Sequence, residues 1–229
     1  MISVLIPALN EERTIGNVVR YSLSQPGVSE VIVIDDNSND DTARQSSLAG
    51  AQVITSAMLG KGASMKEGVE SAKNEILVFL DGDIDPYPLK TIQQLTIPLI
   101  NNDSDFVKAT FSRNAGRITE LVAKPLLSIL CPELASFSQP LSGMIAGRKS
   151  FFDKIDFFYD YGVDVGILID MFNLNARISE VNIGYIENKS KPWPSLIKMS
   201  KEVAGAILMK ASSHWYGKSS QHVVQTVTN

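Results

Sequence analysis

Asp81-Gly82-Asp83 sets two carboxylates around a residue with no side chain, directly after the apolar run 76–80. Carboxylates at this spacing suit a hard divalent cation. Magnesium takes one or two of them and fills its other positions with water and phosphate oxygens. Held there, it neutralises a diphosphate as a leaving group. The competing reading is a turn former or helix N-cap, and that needs only one carboxylate.

Further polar clusters close other apolar runs. Pro7-Ala8-Leu9-Asn10-Glu11-Glu12 follows residues 2–6, and Asp35-Asp36-Asn37-Ser38 follows residues 31–34 and continues into Asn39-Asp40-Asp41-Thr42. Turn and cap chemistry accounts for residues 37–42 as well as ligand chemistry does. Gly60-Lys61-Gly62 opens a helical pattern, where glycines let backbone N–H groups approach an anion and Lys61 adds a point charge. The bland alternative is a turn with a solvated lysine. The spacing is not that of a P-loop. Arg113-Asn114-Ala115-Gly116-Arg117-Ile118-Thr119-Glu120 collects cations and a hydroxyl at a helix start, a combination suited to a small phosphorylated or carboxylated acceptor, although its arginines could equally be solvated. His214 and His222 read as surface residues and Cys131 as a small buried one. No Ser-His-Asp set or Gly-x-Ser-x-Gly elbow is present, which argues against hydrolase chemistry.

These groups need a scaffold that brings strand ends together. Short runs rich in Val, Ile, Leu and Phe occupy residues 2–6, 31–34, 52–55, 76–80 and 106–109. Continuous apolar runs of this length suit strands buried on both faces of a parallel sheet. Between them, residues 11–24, 40–49, 61–73 and 88–99 carry helical periodicity. The alternation predicts an α/β, Rossmann-like, mostly parallel sheet with flanking helices, whose ligands sit at the carboxyl ends of its strands. After residue 110 the alternation stops. Residues 117–130 predict a helix kinked at Pro125, 141–147 a strand, 163–174 a helix and 177–183 a strand. After Pro192-Trp193-Pro194, the spacing of Leu196, Met199, Val203, Ala206 and Ile207 predicts another helix.

The chain has 229 residues and a mass of 25.0 kDa, which predicts one domain over 1–215, with halves 1–110 and 111–215, and a polar, frayed tail at 216–229. An apolar fraction of 44% with 20% charged residues excludes collagen-like and disordered classes. A net charge of −4 gives no overall positive field for nucleic acid, so phosphate recognition has to be local. A lone cysteine excludes an intrachain disulfide and cysteine-rich zinc sites. The apolar start of the chain follows no basic region and is not a signal peptide. No apolar stretch approaches the ~20 residues that span a bilayer. The expectation is a cytoplasmic protein.

Taken together, the three strand-end motifs resemble the nucleotide-sugar half of a GT-A glycosyltransferase. The second half is more specific. Gly116-Arg117-Ile118-Thr119-Glu120-Leu121-Val122-Ala123-Lys124-Pro125-Leu126-Leu127, Cys131-Pro132-Glu133-Leu134, Gln139-Pro140-Leu141-Ser142-Gly143, Ala146-Gly147-Arg148 and Tyr161-Gly162-Val163-Asp164-Val165-Gly166 resemble glucosyl-3-phosphoglycerate synthases and their mannosyl relatives (glycosyltransferase family 81, close to family 2).

The resemblance implies a retaining, metal-dependent transfer of glucose or mannose from a nucleotide-diphosphate sugar to 3-phosphoglycerate. It implies that Pro7, Ala8, Leu9, Glu11, Asp36, Lys61, Asp81 and Gly82 hold the nucleotide sugar, that Tyr161 and Asp164 face the sugar, and that Asp81, Asp83, Tyr161 and Asp164 form the catalytic set. Gly116, Arg117, Ile118, Thr119 and Ser190 would receive the acceptor. Asp83 and Asn188 would hold Mg2+ or Mn2+. Asn188 and Ser190 stand where the family has a His-x-Asn unit, and a neutral carbonyl in place of imidazole favours magnesium. Asp164 stands for a glutamate and is one methylene shorter. The resemblance also implies a homodimer, for which the apolar face of residues 194–210 is one candidate surface. Alternatives are a polyprenyl phosphate acceptor, or a nucleotide-sugar-binding protein with little turnover.

Overall fold

A computed structural model describes residues 1–112, 116–187 and 192–222, with side chains described as far as Ala211. The first half alternates β1 (Ile2–Ala8), α1 (Ile15–Leu23), β2 (Val28–Asp35), α2 (Thr42–Leu48), β3 (Gln52–Thr55), α3 (Lys61–Ser71), β4 (Ile76–Phe79), α4 (Thr91–Ile100) and β5 (Phe106–Ser112). The second half continues with α5 (Lys124–Leu130), β6 (Ile145–Arg148), α6 (Lys149–Phe152), α7 (Val163–Asn173), β7 (Ile178–Tyr185) and α8 (Trp193–His222).

Among the described residues the strands form one seven-stranded sheet in the order β3-β2-β1-β4-β6-β5-β7. β1 runs parallel to both β2 and β4, and β5 parallel to β7. β6 alone is reversed, antiparallel to β4 on one side and β5 on the other. The reversal matters for the site, because the start of β6, rather than its end, reaches the edge where β1, β2 and β4 finish.

The apolar runs of β1, β2, β4 and β5 are buried on both faces, as their composition requires, whereas β3, at the sheet edge, is only partly covered. Successive residues of β1 serve opposite faces. Val4 and Ile6 pack with Ile15, Val19, Ile92 and Leu95 of α1 and α4, while Leu5 joins Met65, Phe79 and Phe106 on the face covered by α3, α5, α7 and α8. β6 carries Gly147 because a side chain there would meet the Phe152 ring at 2.8 Å. That ring packs edge-on to Phe79 and Phe106 at 5.4 and 6.1 Å.

The segment 117–130 departs from a single kinked helix. A π-helical turn, Thr119–Ala123, leads directly into α5, and Pro125 sits within the first two positions of α5, where the hydrogen-bond pattern changes over. Widened turns of this kind recur at functional sites. The Leu196, Val203 and Ile207 face of α8 packs into the core, with Ile197, Leu208 and Met209 left exposed on its other side. α8 also continues to His222, into the stretch whose polar character suggests a frayed end. No helix of the described residues is long and apolar enough to cross a membrane.

Candidate active site

The three carboxylate-bearing strand ends lie side by side because β2, β1 and β4 are neighbours. Between the loops at residues 10–12 and 38–42 the hydrogen bonds are largely reciprocal. The Asn10 N–H donates to Ser38 Oγ (2.9 Å), the Glu11 N–H to Thr42 Oγ1 (2.8 Å), and the Asn39 N–H to Asn10 Oδ1 (2.9 Å). Asp40 accepts from the Thr42 N–H at 3.0 Å. Residues 38–42 therefore serve largely as loop cross-links and caps, whereas Asp36 points elsewhere. Its two oxygens both accept from the Gly60 N–H, at 3.0 and 3.1 Å, and burial pushes its carboxyl above the usual range.

The Asp81-Gly82-Asp83 turn is held through its backbone. Thr14 Oγ1 donates to the Gly82 carbonyl (2.7 Å) and the Tyr87 hydroxyl to the Asp81 carbonyl (2.9 Å). Burial raises the Tyr87 phenol well above its ordinary pKa, so it stays a donor there.

Lys61 joins the two halves of the chain. Its ammonium lies 3.2 Å from Asp81 Oδ1 and 3.0 Å from Asp164 Oδ2. Burial alone would lower its pKa, but the two carboxylates outweigh that and raise it. The other oxygen of Asp164 is buried and has no hydrogen-bond partner among the described residues. Tyr161 lies just before α7, and its N–H donates to Glu202 of α8 at 3.4 Å.

The Gly60-Lys61-Gly62 segment corrects one sequence expectation. Its glycine amides are taken up within the protein and not offered to a ligand anion, since Gly60 N–H serves the Asp36 carboxylate and Gly62 N–H serves the Tyr159 carbonyl at 3.1 Å. The glycines are there for close approach. A Cβ at Gly60 would stand 2.1 Å from the Tyr159 carbonyl oxygen, and one at Gly62 1.6 Å from that of Phe158. Only the lysine side chain is offered to the cleft.

All of this surrounds a single cleft of about 760 Å³. Pro7, Ala8, Leu9, Glu11, Asp36, Lys61, Asp81, Gly82 and Asp83 line it from the first half, and Gly116, Arg117, Ile118, Thr119, Tyr161 and Asp164 from the second. Arg117 is exposed, with its guanidinium 5.1 Å from the ring centre of Trp193. Asn188 and Ser190 lie outside the described residues, as do the side chains of His214 and His222.

Sequence reasoning missed Gly143 and Lys108. A Cβ on Gly143 would stand 2.4 Å from Lys61 Nζ and 2.7 Å from Asp81 Oδ1, so the start of β6 must lack a side chain there. Nothing local in the sequence marks that need. Lys108 did carry a mark, as a charged residue inside the apolar run 106–109.

Among the described residues no three His, Cys, Asp or Glu side chains converge to cage a metal. Asp83, exposed at the cleft, still fits the habit of magnesium, which accepts few protein ligands and completes its sphere with water and phosphate oxygens.

The model of glycosyl transferase family 2 matches residues 3–154. The glucosyl-3-phosphoglycerate synthase of Mycolicibacterium paratuberculosis is 35% identical to this chain, over 91% of this chain and 72% of that protein. The synthase of Petrotoga mobilis is 33% identical over 95% and 74%. The crystal structure of the Mycobacterium tuberculosis glucosyl-3-phosphoglycerate synthase with Mn2+, UDP-glucose and phosphoglyceric acid is similar, with a TM-score of 0.87 at 34% identity, covering 93% of this chain and 80% of that one. That enzyme has also been crystallised with Mg2+ and UDP.

Proposed function

The chain belongs to glycosyl transferase family 2 and to the family of the glucosyl-3-phosphoglycerate synthases, and from that premise we propose that it transfers glucose from UDP-glucose to 3-phosphoglycerate with retention of configuration. The observation that carries this reading is one cleft shared by strand-end carboxylates of the first half and the Gly116–Thr119 segment of the second, with Lys61 bridging Asp81 to Asp164 in it.

The roles read for these residues are supported by their common place around the cleft. Residues 7–9, Glu11 and Asp36 receive the nucleotide at the ends of β1 and β2. Lys61, already among carboxylates, offers its ammonium to the diphosphate. A divalent cation at Asp83, with Asn188 as its second ligand, supplies charge neutralisation of the departing diphosphate. Arg117 gives a planar pair of donors to a phosphate or carboxylate of the acceptor, and Thr119, two residues on, lines the same cleft. Tyr161 and Asp164 face the sugar. The acceptor hydroxyl loses its proton to the departing phosphate on the same face, so the enzyme supplies no separate base.

Cytoplasmic residence and a homodimer complete the proposal, with the exposed Ile197, Leu208 and Met209 side of α8 as the surface offered. The test is UDP release by purified protein with magnesium, crossing UDP-glucose, GDP-glucose and GDP-mannose with 3-phosphoglycerate and using Asp83→Ala as the blank. Release that requires both UDP-glucose and 3-phosphoglycerate supports the reading. Release indifferent to 3-phosphoglycerate, or to the donor offered, overturns it.

A further inference from the structure

Lys108 is fully buried in the middle of β5, on the same face as Phe106. Its ammonium donates to the backbone carbonyls of Ser142 (3.0 Å) and Asp164 (3.3 Å) and lies 5.9 Å from the Phe106 ring centre. Ser142 immediately precedes Gly143, the residue whose missing side chain leaves room for Lys61 and Asp81. Asp164 is in the first turn of α7 and holds Lys61 with its carboxylate. One buried side chain thus ties the start of β6 to the start of α7, behind the point where the two halves of the site meet.

Such a lysine is costly. Neutral carbonyls compensate a buried charge less well than a carboxylate would, and an apolar residue of similar volume generally fills a core position at no loss of stability. The ammonium also sits near the N-terminus of α7, where the helix dipole disfavours it. Burial chiefly, with a smaller push from Lys61, brings its pKa down to about 8 despite Asp164, Glu180 and Asp81, which raise it.

We propose that Lys108 is a positioning residue for the donor sugar, fixing the spacing between Gly143 and the Asp164 carboxylate and adding one positive charge beneath the Asp81–Lys61–Asp164 chain. This rests on reading the cleft as a nucleotide-sugar site, with the sugar over Gly143 and Asp164. The nucleotide lies on the β1 and β2 side, away from the contacts that Lys108 makes.

Lys108→Met keeps the length and removes the charge. Calorimetry with magnesium is expected to show UDP binding within twofold of wild type and UDP-glucose binding weakened at least tenfold. kcat falls by at least tenfold, while Tm stays within about 4 °C of wild type. In the wild type, the rate also declines above about pH 8 as the ammonium is lost, and the variant lacks that decline. Lys108→Gln, which keeps a donor without the charge, is the second variant should Lys108→Met not fold, and the same separation of UDP from UDP-glucose is expected of it. Equal weakening of UDP and UDP-glucose would make Lys108 merely structural and overturn the proposal, as would unchanged sugar binding and turnover. The calorimetry needs no acceptor, so a failure of 3-phosphoglycerate to serve would leave this test standing.

Discussion

The ammonium of Lys61 and the carboxylate of Asp164, 103 residues apart in the chain, meet at 3.0 Å on the floor of the cleft. The contact joins the start of α3 to the first turn of α7 and leaves one Asp164 oxygen without a partner among the described residues.

Lys61→Met strands Asp81 and Asp164 beside each other. Breaking a buried pair costs about 3–5 kcal/mol, and the lower end applies because the Lys61 and Asp81 side chains are 20% and 29% exposed. The folded pKa of Lys61 is raised, so its contribution is complete below the ordinary lysine value and is lost only at more alkaline pH. Denaturant titration should show a deficit in the variant that is constant from pH 6 to 9, together with a loss of kcat/KM of at least about a hundredfold.

Asp83 is exposed, and its removal tests the metal rather than the fold. Asp83→Asn should melt with the wild type while losing about a hundredfold or more in kcat. A chelator should silence the wild-type protein, and magnesium should restore it. Activity that survives chelation would remove the cation from the reaction.

Gly143→Ala adds one methyl group, 2.4 Å from Lys61 Nζ and 2.7 Å from Asp81 Oδ1. The side-chain ends are what can move, since Gly143 leads within two residues into β6, which is paired to β4 and β5. Turnover should fall by at least about tenfold with a small change in Tm, because flexible side-chain ends absorb the clash. Full activity in this variant would show that the Lys61 bridge is dispensable.

Arg117 and Trp193 separate direct from indirect acceptor recognition. Arg117→Ala should raise the KM for 3-phosphoglycerate at least about tenfold, as loss of a bidentate charged contact does, and leave the KM for UDP-glucose unchanged. Trp193→Leu removes only the ring that Arg117 lies over. An exposed cation–π contact is worth about 0.5–1 kcal/mol, so the same KM should rise only two- to fivefold.

Asp105, remote from the cleft, governs acid stability. It accepts from Arg177 at 2.8 and 2.9 Å and from Arg148 at 3.4 Å, and these hold its pKa down to about 2. A depressed carboxylate pKa stabilises above the unfolded value near 4, and that stability drains away as pH falls towards 2. Its worth is on the order of 2 kcal/mol. Asp105→Asn should lower Tm by about 4–8 °C at pH 7, converge with the wild type near pH 2, and leave turnover intact.

The strand-end residues were legible because β1, β2 and β4 are buried on both faces, which writes each strand as an unbroken apolar run with its polar residues gathered at the end. Asp36, Asp81 and Asp83 stand out by that position, while Lys61 stands out as the opening residue of a helical pattern between two glycines. The glycines around Lys61 were misread, since their necessity comes from the Phe158 and Tyr159 carbonyls, almost a hundred residues away. Gly143 was hidden for the same reason. The direction of β6 was equally invisible, because Ile145–Arg148 looks the same whichever way its neighbours run. Lys108 was visible as an anomaly in an apolar strand, but its meaning depends on two carbonyls that only the tertiary fold supplies.

β6 is the last strand of the sheet's middle to be synthesised, yet it separates β4 from β5. A ribosome that has released 112 residues has made five of the strands and still lacks the one that joins β4 to β5. Until residues 145–148 emerge, both strands present bare apolar edges, the kind that recruit other chains. The compositional change near residue 110 is therefore no place to cut this protein. A fragment ending there keeps every carboxylate of the nucleotide side and, lacking the strand between β4 and β5, should aggregate instead of binding nucleotide.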